Sequence, residues 1–170
     1  PPFPPSFPLN PGLTFPPPPS PPPPPPPTTQ VEPGATLPID ATQEQPSISF
    51  EAAEGKERFT LALLDPDAPS RGDPKWAPFR HWLVTGLNPG TPTRLEGGEE
   101  LTPYMGPAPP PGTGPHRYAF LLYRQPAGST PKFFGDKEDR KQYDIKKFVE
   151  ENKLTLVGAN FFLAEDKSKE

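Results

Sequence analysis

Apolar residues are concentrated in three short runs, Phe59 to Leu64, Trp82 to Leu87 and Tyr118 to Tyr123, none of which contains a charged residue. Runs of that length, rich in aromatic and branched side chains, predict strands covered on both faces. Ser47 to Glu51 has a different rhythm, with Ile48 and Phe50 alternating against polar neighbours, as in a half-buried strand. Thr155 to Leu163 predicts a last strand. Asp136 to Lys153 is the one stretch with helical spacing: Ile145, Phe148 and Val149 fall at i, i+3 and i+4, with Asp144 placed as N-cap. Thr91 to Pro103 is polar and reads as a loop anchored by Leu95 and Leu101, while Glu32-Pro33-Gly34 and Asn88-Pro89-Gly90 are turn signals. Many strands, one late helix and no βαβ alternation predict a mostly β fold of antiparallel sheets.

Proline changes the picture before residue 31. Of 170 residues 34 are proline, and Pro16 to Pro19 and Pro21 to Pro27 are unbroken runs. Such runs have no backbone donors and a fixed φ, so they predict an extended polyproline II segment. The chain therefore divides into a proline-rich segment over residues 1–30 and one domain over residues 31–170. Two readings of the tract stay open. Pro16 to Pro27 suits the groove of an SH3, WW or profilin-like domain, or it is a spacer inserted into an edge hairpin.

The formal charge of −4 provides no basic face for phosphate backbones, which argues against nucleic acid. Absence of cysteine excludes disulfides and thiolate chemistry. No run approaches the ~18 apolar residues of a transmembrane segment, and no basic stretch precedes an apolar one as in a signal peptide. A soluble cytoplasmic protein is the expectation.

Candidate chemistry gathers at the ends of the three buried strands. Asp65 closes the first and is held by Pro66, His81 precedes the second, and His116 opens the third. These are the only two histidines, and either donates to an anion from a ring N–H. Tyr118 lies two residues after His116, on the same strand face, and offers a phenolic donor. Gly112 to Gly114 predicts backbone amides free for an anion. Asp67 reads as structural, capping a turn or pairing with Arg117. No histidine pair has metal-ligand spacing, no serine has an evident base, and no cofactor motif occurs, so the expectation is a binding protein rather than an enzyme.

The ordered pattern Asp65-Pro66-Asp67-Ala68-Pro69-Ser70-Arg71, His81-Trp82-Leu83-Val84 and Gly112-Thr113-Gly114-Pro115-His116-Arg117-Tyr118 resembles the phosphatidylethanolamine-binding protein family. The ending, Ile145 to Phe148 and Leu156 to Phe162, is most similar to its fungal carboxypeptidase Y inhibitor branch. The resemblance spans roughly Val31 to Glu165. It implies an antiparallel two-sheet sandwich with one or two peripheral helices. It also implies a pocket for a phosphate or phospholipid head group, lined by Asp65, His81, Pro110, His116 and Tyr118, with Gly112 and Phe79 as further binding candidates. Implied protein partners are a serine carboxypeptidase or a signalling protein under kinase control; peripheral membrane or vacuolar association is implied as well. Phe79 and Arg80 stand where many relatives have Trp and His, which implies a smaller apolar wall. The end at Glu170, without the C-terminal helix of some relatives, implies a more open site, and the resemblance places a cis peptide at Ala77-Pro78.

Overall fold

Strands account for nearly all the regular structure. A computed structural model describes residues 12–15, 29–30, 33–50, 57–89 and 99–167. Their order is β1 (Gly12–Phe15), β2 (Thr29–Gln30), β3 (Ala35–Thr36), a 3₁₀ turn (Ile39–Thr42), β4 (Ser47–Ser49), β5 (Phe59–Asp65), β6 (Phe79–Leu87), β7 (Glu99–Thr102), β8 (His116–Arg124), α1 (Ile145–Glu151) and β9 (Thr155–Ala164). They form a three-stranded sheet, β2-β1-β4, and a six-stranded sheet, β3-β9-β8-β5-β6-β7. The polyproline reading of Pro16 to Pro27 and the anchor at Leu95 lie outside the described residues. The tract connects two strands that pair with each other, Thr14 opposite Gln30.

The larger sheet is mixed, which corrects the expectation of purely antiparallel pairing. β3 runs parallel to β9. Gly34, at φ +83°, turns the chain onto that edge, and the Gly34 and Leu37 amides donate to the Phe161 and Leu163 carbonyls at 2.9 and 2.8 Å. No hairpin links β3 to β9, so nothing forces them to run opposite ways.

Period-two alternation divides the core. Leu61 and Leu63 of β5 join Trp82, Val84, Tyr118, Phe120, Phe162 and the Ile48 and Phe50 region in one cluster. Ala62 and Leu64 join Leu83, Leu101, Tyr123, Tyr143 and Phe148 in another, on the opposite face. Every residue of β5 is buried. Fully burying a Leu or Phe side chain contributes about 1.5–3 kcal/mol, so the sheet centre is the main store of stability.

Two further expectations change. The polar stretch before Pro103 contains a strand, β7, because Leu101 and Thr102 are buried while the Glu100 carboxylate accepts from Trp82 Nε1 at 2.9 Å. The helix is shorter than its periodic pattern. Asp136 and Asp139 bond the amides two residues on, Glu138 and Lys141, at 2.9 and 3.0 Å, turns that compete with helix. α1 begins only after Asp144, whose side chain accepts from the Lys147 amide at 2.9 Å. Lys153 at φ 54° follows its end. No helix among the described residues is long and apolar enough to cross a membrane.

Ala77-Pro78 is cis, as the resemblance implied, and Ala68-Pro69 is cis as well.

A β-bulge near the start of β6 decides which way its side chains point. Leu63 is opposite Trp82 but Leu64 is opposite Arg80, so β6 carries one extra residue at His81. The bulge turns His81 toward the Tyr118 face while Arg80 faces the other way.

Candidate functional site

Antiparallel pairing brings the end of β5 beside the starts of β6 and β8, and a cavity of about 210 Å³ opens there. Asp65, Phe79, His81, Pro110, His116 and Tyr118 all line it, so six of the seven candidate residues converge. Gly112 is not among the lining residues. Its amide donates to the Asp166 carbonyl at 3.4 Å, and the Thr113 amide donates to Pro110 at 3.3 Å. This corrects the expectation of freely offered amides at Gly112 and Thr113.

His116 is held at both ring nitrogens. Nδ1 lies 2.7 Å from Asp65 Oδ2 and Nε2 lies 2.9 Å from Thr113 Oγ1. The single hydroxyl hydrogen of Thr113 is given to the Pro110 carbonyl, 2.7 Å away. Both ring nitrogens are therefore engaged, and the imidazole is fixed in place between Asp65 and Thr113. The other Asp65 oxygen accepts from the Asp67 amide at 2.8 Å. With both oxygens engaged, Asp65 holds the histidine while forming part of the cavity lining.

His81 is set up differently. Its Nδ1 donates to the Met105 carbonyl at 2.7 Å, and the Met105 amide donates back to the His81 carbonyl at 2.9 Å. Burial pushes its pKa down to about 4, against the upward pull of the Met105 carbonyl and Asp65. The ring is thus neutral near pH 7, with Nε2 as its unprotonated nitrogen. Phe79 and Tyr118 pack on it at ring-centroid distances of 4.9 and 5.3 Å.

The Tyr118 hydroxyl is buried without a hydrogen-bond partner. Burial first, and then the nearby Asp65 charge, raise its pKa. Its approach to Asp65 falls short of hydrogen-bonding geometry, so its proton is available to another acceptor.

Asp67 is structural, as the sequence suggests. Arg117 grips it with Nε, Nη2 and its own amide at 3.0, 2.8 and 2.8 Å. Burial alone would raise the Asp67 pKa, but the Arg117 hydrogen bonds and charge, with Arg71 adding to them, hold it below its ordinary value.

Sequence reasoning missed Thr113, which sits in the motif between two glycines and looks like a turn residue. It also missed Met105, whose carbonyl carries no sequence signal, and Trp76, which lines the cavity. Among the described residues no group of three or more His, Cys, Asp and Glu is placed to hold a metal ion.

Comparisons with known proteins agree with one another. The carboxypeptidase Y inhibitor of Saccharomyces cerevisiae is 35% identical over 171 residues, covering 79% of this chain and 78% of that one. A solved carboxypeptidase Y inhibitor complexed with its cognate proteinase matches with a TM-score of 0.70 and 36% identity, over 79% of this chain and 76% of that one. The phosphatidylethanolamine-binding protein of Plasmodium vivax matches with a TM-score of 0.67 at 24% identity, over 79% and 78% of the two chains, a likeness of fold. The family model for phosphatidylethanolamine-binding proteins matches residues 27–162, and with these relatives it establishes that the chain belongs to the phosphatidylethanolamine-binding protein family.

Proposed function

We propose that the cavity binds a phosphate monoester or phospholipid head group, and that the chain is a noncatalytic regulatory protein whose protein target is a serine carboxypeptidase. The observation that carries the first part is the unpartnered Tyr118 hydroxyl in a cavity also lined by His81 and His116. An anionic oxygen gives the phenol the acceptor it lacks, and an unpaired buried donor costs about 1–3 kcal/mol. At about 210 Å³ the cavity suits a head group rather than a whole lipid. Phe79, Pro110 and Trp76 provide apolar walls that exclude water and strengthen each polar contact. The two sheets, packed across the Ile48 and Phe50 cluster, act as a sandwich that presents this site at one edge.

The second part rests on likeness to the Saccharomyces cerevisiae inhibitor. Titrating the protein with inorganic phosphate and with phosphorylethanolamine tests the pocket: saturable binding that His116→Ala abolishes supports it, and equal binding by that variant refutes it. Inhibition of carboxypeptidase Y, measured with and without residues 1–27, tests the target. Turnover of p-nitrophenyl phosphate dependent on His116 would overturn the noncatalytic reading.

Seven consecutive prolines, Pro21 to Pro27, favour a second reading in which the tract is the working part and binds an SH3, WW or profilin-like domain. Partner capture lost on deleting Pro16 to Pro27, with His116→Ala unaffected, distinguishes it.

A further inference from the structure

The face of the sheet opposite His81 carries a second cavity, of about 270 Å³, between β6 and the segment leading into α1. Arg80 lines it and is only 1% exposed. Its Nε donates to Thr102 Oγ1 at 2.6 Å, and Nη2 donates to the carbonyls of Asp136 and Lys137 at 3.3 and 3.1 Å. Nη1 has no partner. The guanidinium carbon stands 4.8 Å from the Phe133 ring centre and 4.5 Å from that of Tyr143. Among the described residues no carboxylate forms an ion pair with it. A buried cation held only by neutral acceptors and aromatic faces keeps much of its desolvation cost uncompensated.

Tyr143 lines the same cavity and is 6% exposed, and its hydroxyl is also buried without a partner. Among the described residues, two of the four side chains that hold a buried, unpartnered polar atom therefore line one space. Each is a donor, one of them charged. Removing only one partner from a buried pair is what ordinarily leaves such groups, so the arrangement resembles a hydrogen-bonded site with its acceptor missing.

We infer that this second cavity binds a small carboxylate, one oxygen accepting from Arg80 Nη1 and the other from the Tyr143 hydroxyl. Two orphan donors match the two oxygens of a carboxylate. Charge narrows the class further. The lining holds Arg80, Lys141 and Lys147 against Asp136, Asp139 and Asp144, a formal balance of zero. A monoanion joins that balance at less repulsion than a phosphate dianion, which the three aspartates disfavour. The site is independent of the head-group reading, because its residues lie across the sheet from His81 and His116.

The test is a titration of the full chain, labelled with ¹⁵N arginine, with sodium acetate against sodium chloride at matched ionic strength and pH 7. A saturable shift of the Arg80 Nε–Hε resonance with acetate, absent with chloride, is the expected result. Tyr143→Phe removes one unpartnered oxygen and keeps the ring, so the fold survives. It should weaken acetate binding about tenfold, the loss of one hydrogen bond to a charged group. An Arg80 resonance indifferent to acetate, or wild-type affinity in Tyr143→Phe, overturns the site. Inorganic phosphate binding there as tightly as acetate overturns the carboxylate class.

Discussion

Arg80 and His81 are adjacent in the chain yet line cavities on opposite faces of one sheet. The extra residue of the bulge lets His81 share the Tyr118 face with Trp82, its neighbour on the other side. In an unbulged strand, neighbours alternate and His81 and Trp82 would be opposed. One inserted backbone unit thus gives β6 both a core anchor and a pocket wall, and sends a cation to the far side.

The depressed His81 pKa makes stability depend on pH. The unfolded chain takes up a proton near 6.5, whereas the folded chain resists it until about 4. The neutral histidine's contribution is therefore complete above pH 6.5 and is lost as the pH falls through that window. The loss amounts to roughly 3 kcal/mol. Urea denaturation at pH 7 and pH 4.5 should show it, and His81→Gln should flatten the dependence. Sulfate, whose charge is constant over this range, should bind more tightly at pH 4 than at pH 7.5, since protonating Nε2, which sets in only as the pH nears 4, supplies a donor.

Asp65 and His116 should prove strongly coupled. His116→Ala leaves a buried carboxylate oxygen without its 2.7 Å partner, and breaking a buried pair on one side costs roughly 3–5 kcal/mol. Asp65→Asn should cost less, because the amide still offers an oxygen to the Asp67 amide. A double-mutant cycle read by urea denaturation should return a coupling of about 2 kcal/mol, whereas additive single effects would mean the contact does little.

The strands of the site were legible because burial on both faces leaves a mostly apolar run free of charge, as in Phe59 to Leu64. Their convergence came from motif resemblance, since no periodicity orders strands across 50 residues of intervening chain. The features hidden from a linear reading depend on contacts between segments. β7 has only Leu101 and Thr102 turned inward, too short a pattern to separate from a loop. The helix pattern ran back to Asp136 because the charged residues there mimic a solvated helix face, while in the fold their carbonyls serve Arg80. Thr113 and the Met105 carbonyl orient the two histidines through bonds that residue order does not display.

Asp67 should carry the acid side of the stability profile. Its folded-state pKa lies below 3.8, so its contribution is present above that value and disappears as the pH falls through the lower, folded one. Asp67→Asn forfeits the charge in the Arg117 grip and should destabilise the protein at pH 7 by about 2 kcal/mol. The gap between variant and wild type should narrow below about pH 4, where wild-type Asp67 begins to take up its proton. Parallel denaturation curves at pH 7 and pH 3 would show whether it does.

Two glycines beside the cavity that His81 lines should respond to alanine in opposite ways. A Cβ on Gly106 would lie 2.9 Å from both Gln43 Cα and the Thr42 carbonyl oxygen, and backbone atoms cannot swing aside. That carbonyl also accepts from Tyr104 Oη at 2.6 Å, and Gln43 Nε2 donates to Pro107 at 2.9 Å. Relief of the clash must therefore move the Met105 to Pro107 segment, and with it the carbonyl that fixes His81. Gly106→Ala should cost about 1–3 kcal/mol, as overpacking does, and should weaken phosphate binding by misplacing His81. Gly112→Ala meets nothing within 4 Å, but holds an L residue at φ +77°, a strain of about 1–2 kcal/mol. Because the Gly112 amide is turned to Asp166 rather than to the cavity, that variant should lose stability while keeping its affinity. Thermal melts and phosphate titrations of both variants separate the effects, and a Gly112→Ala protein of normal stability with impaired binding would return that glycine to the site.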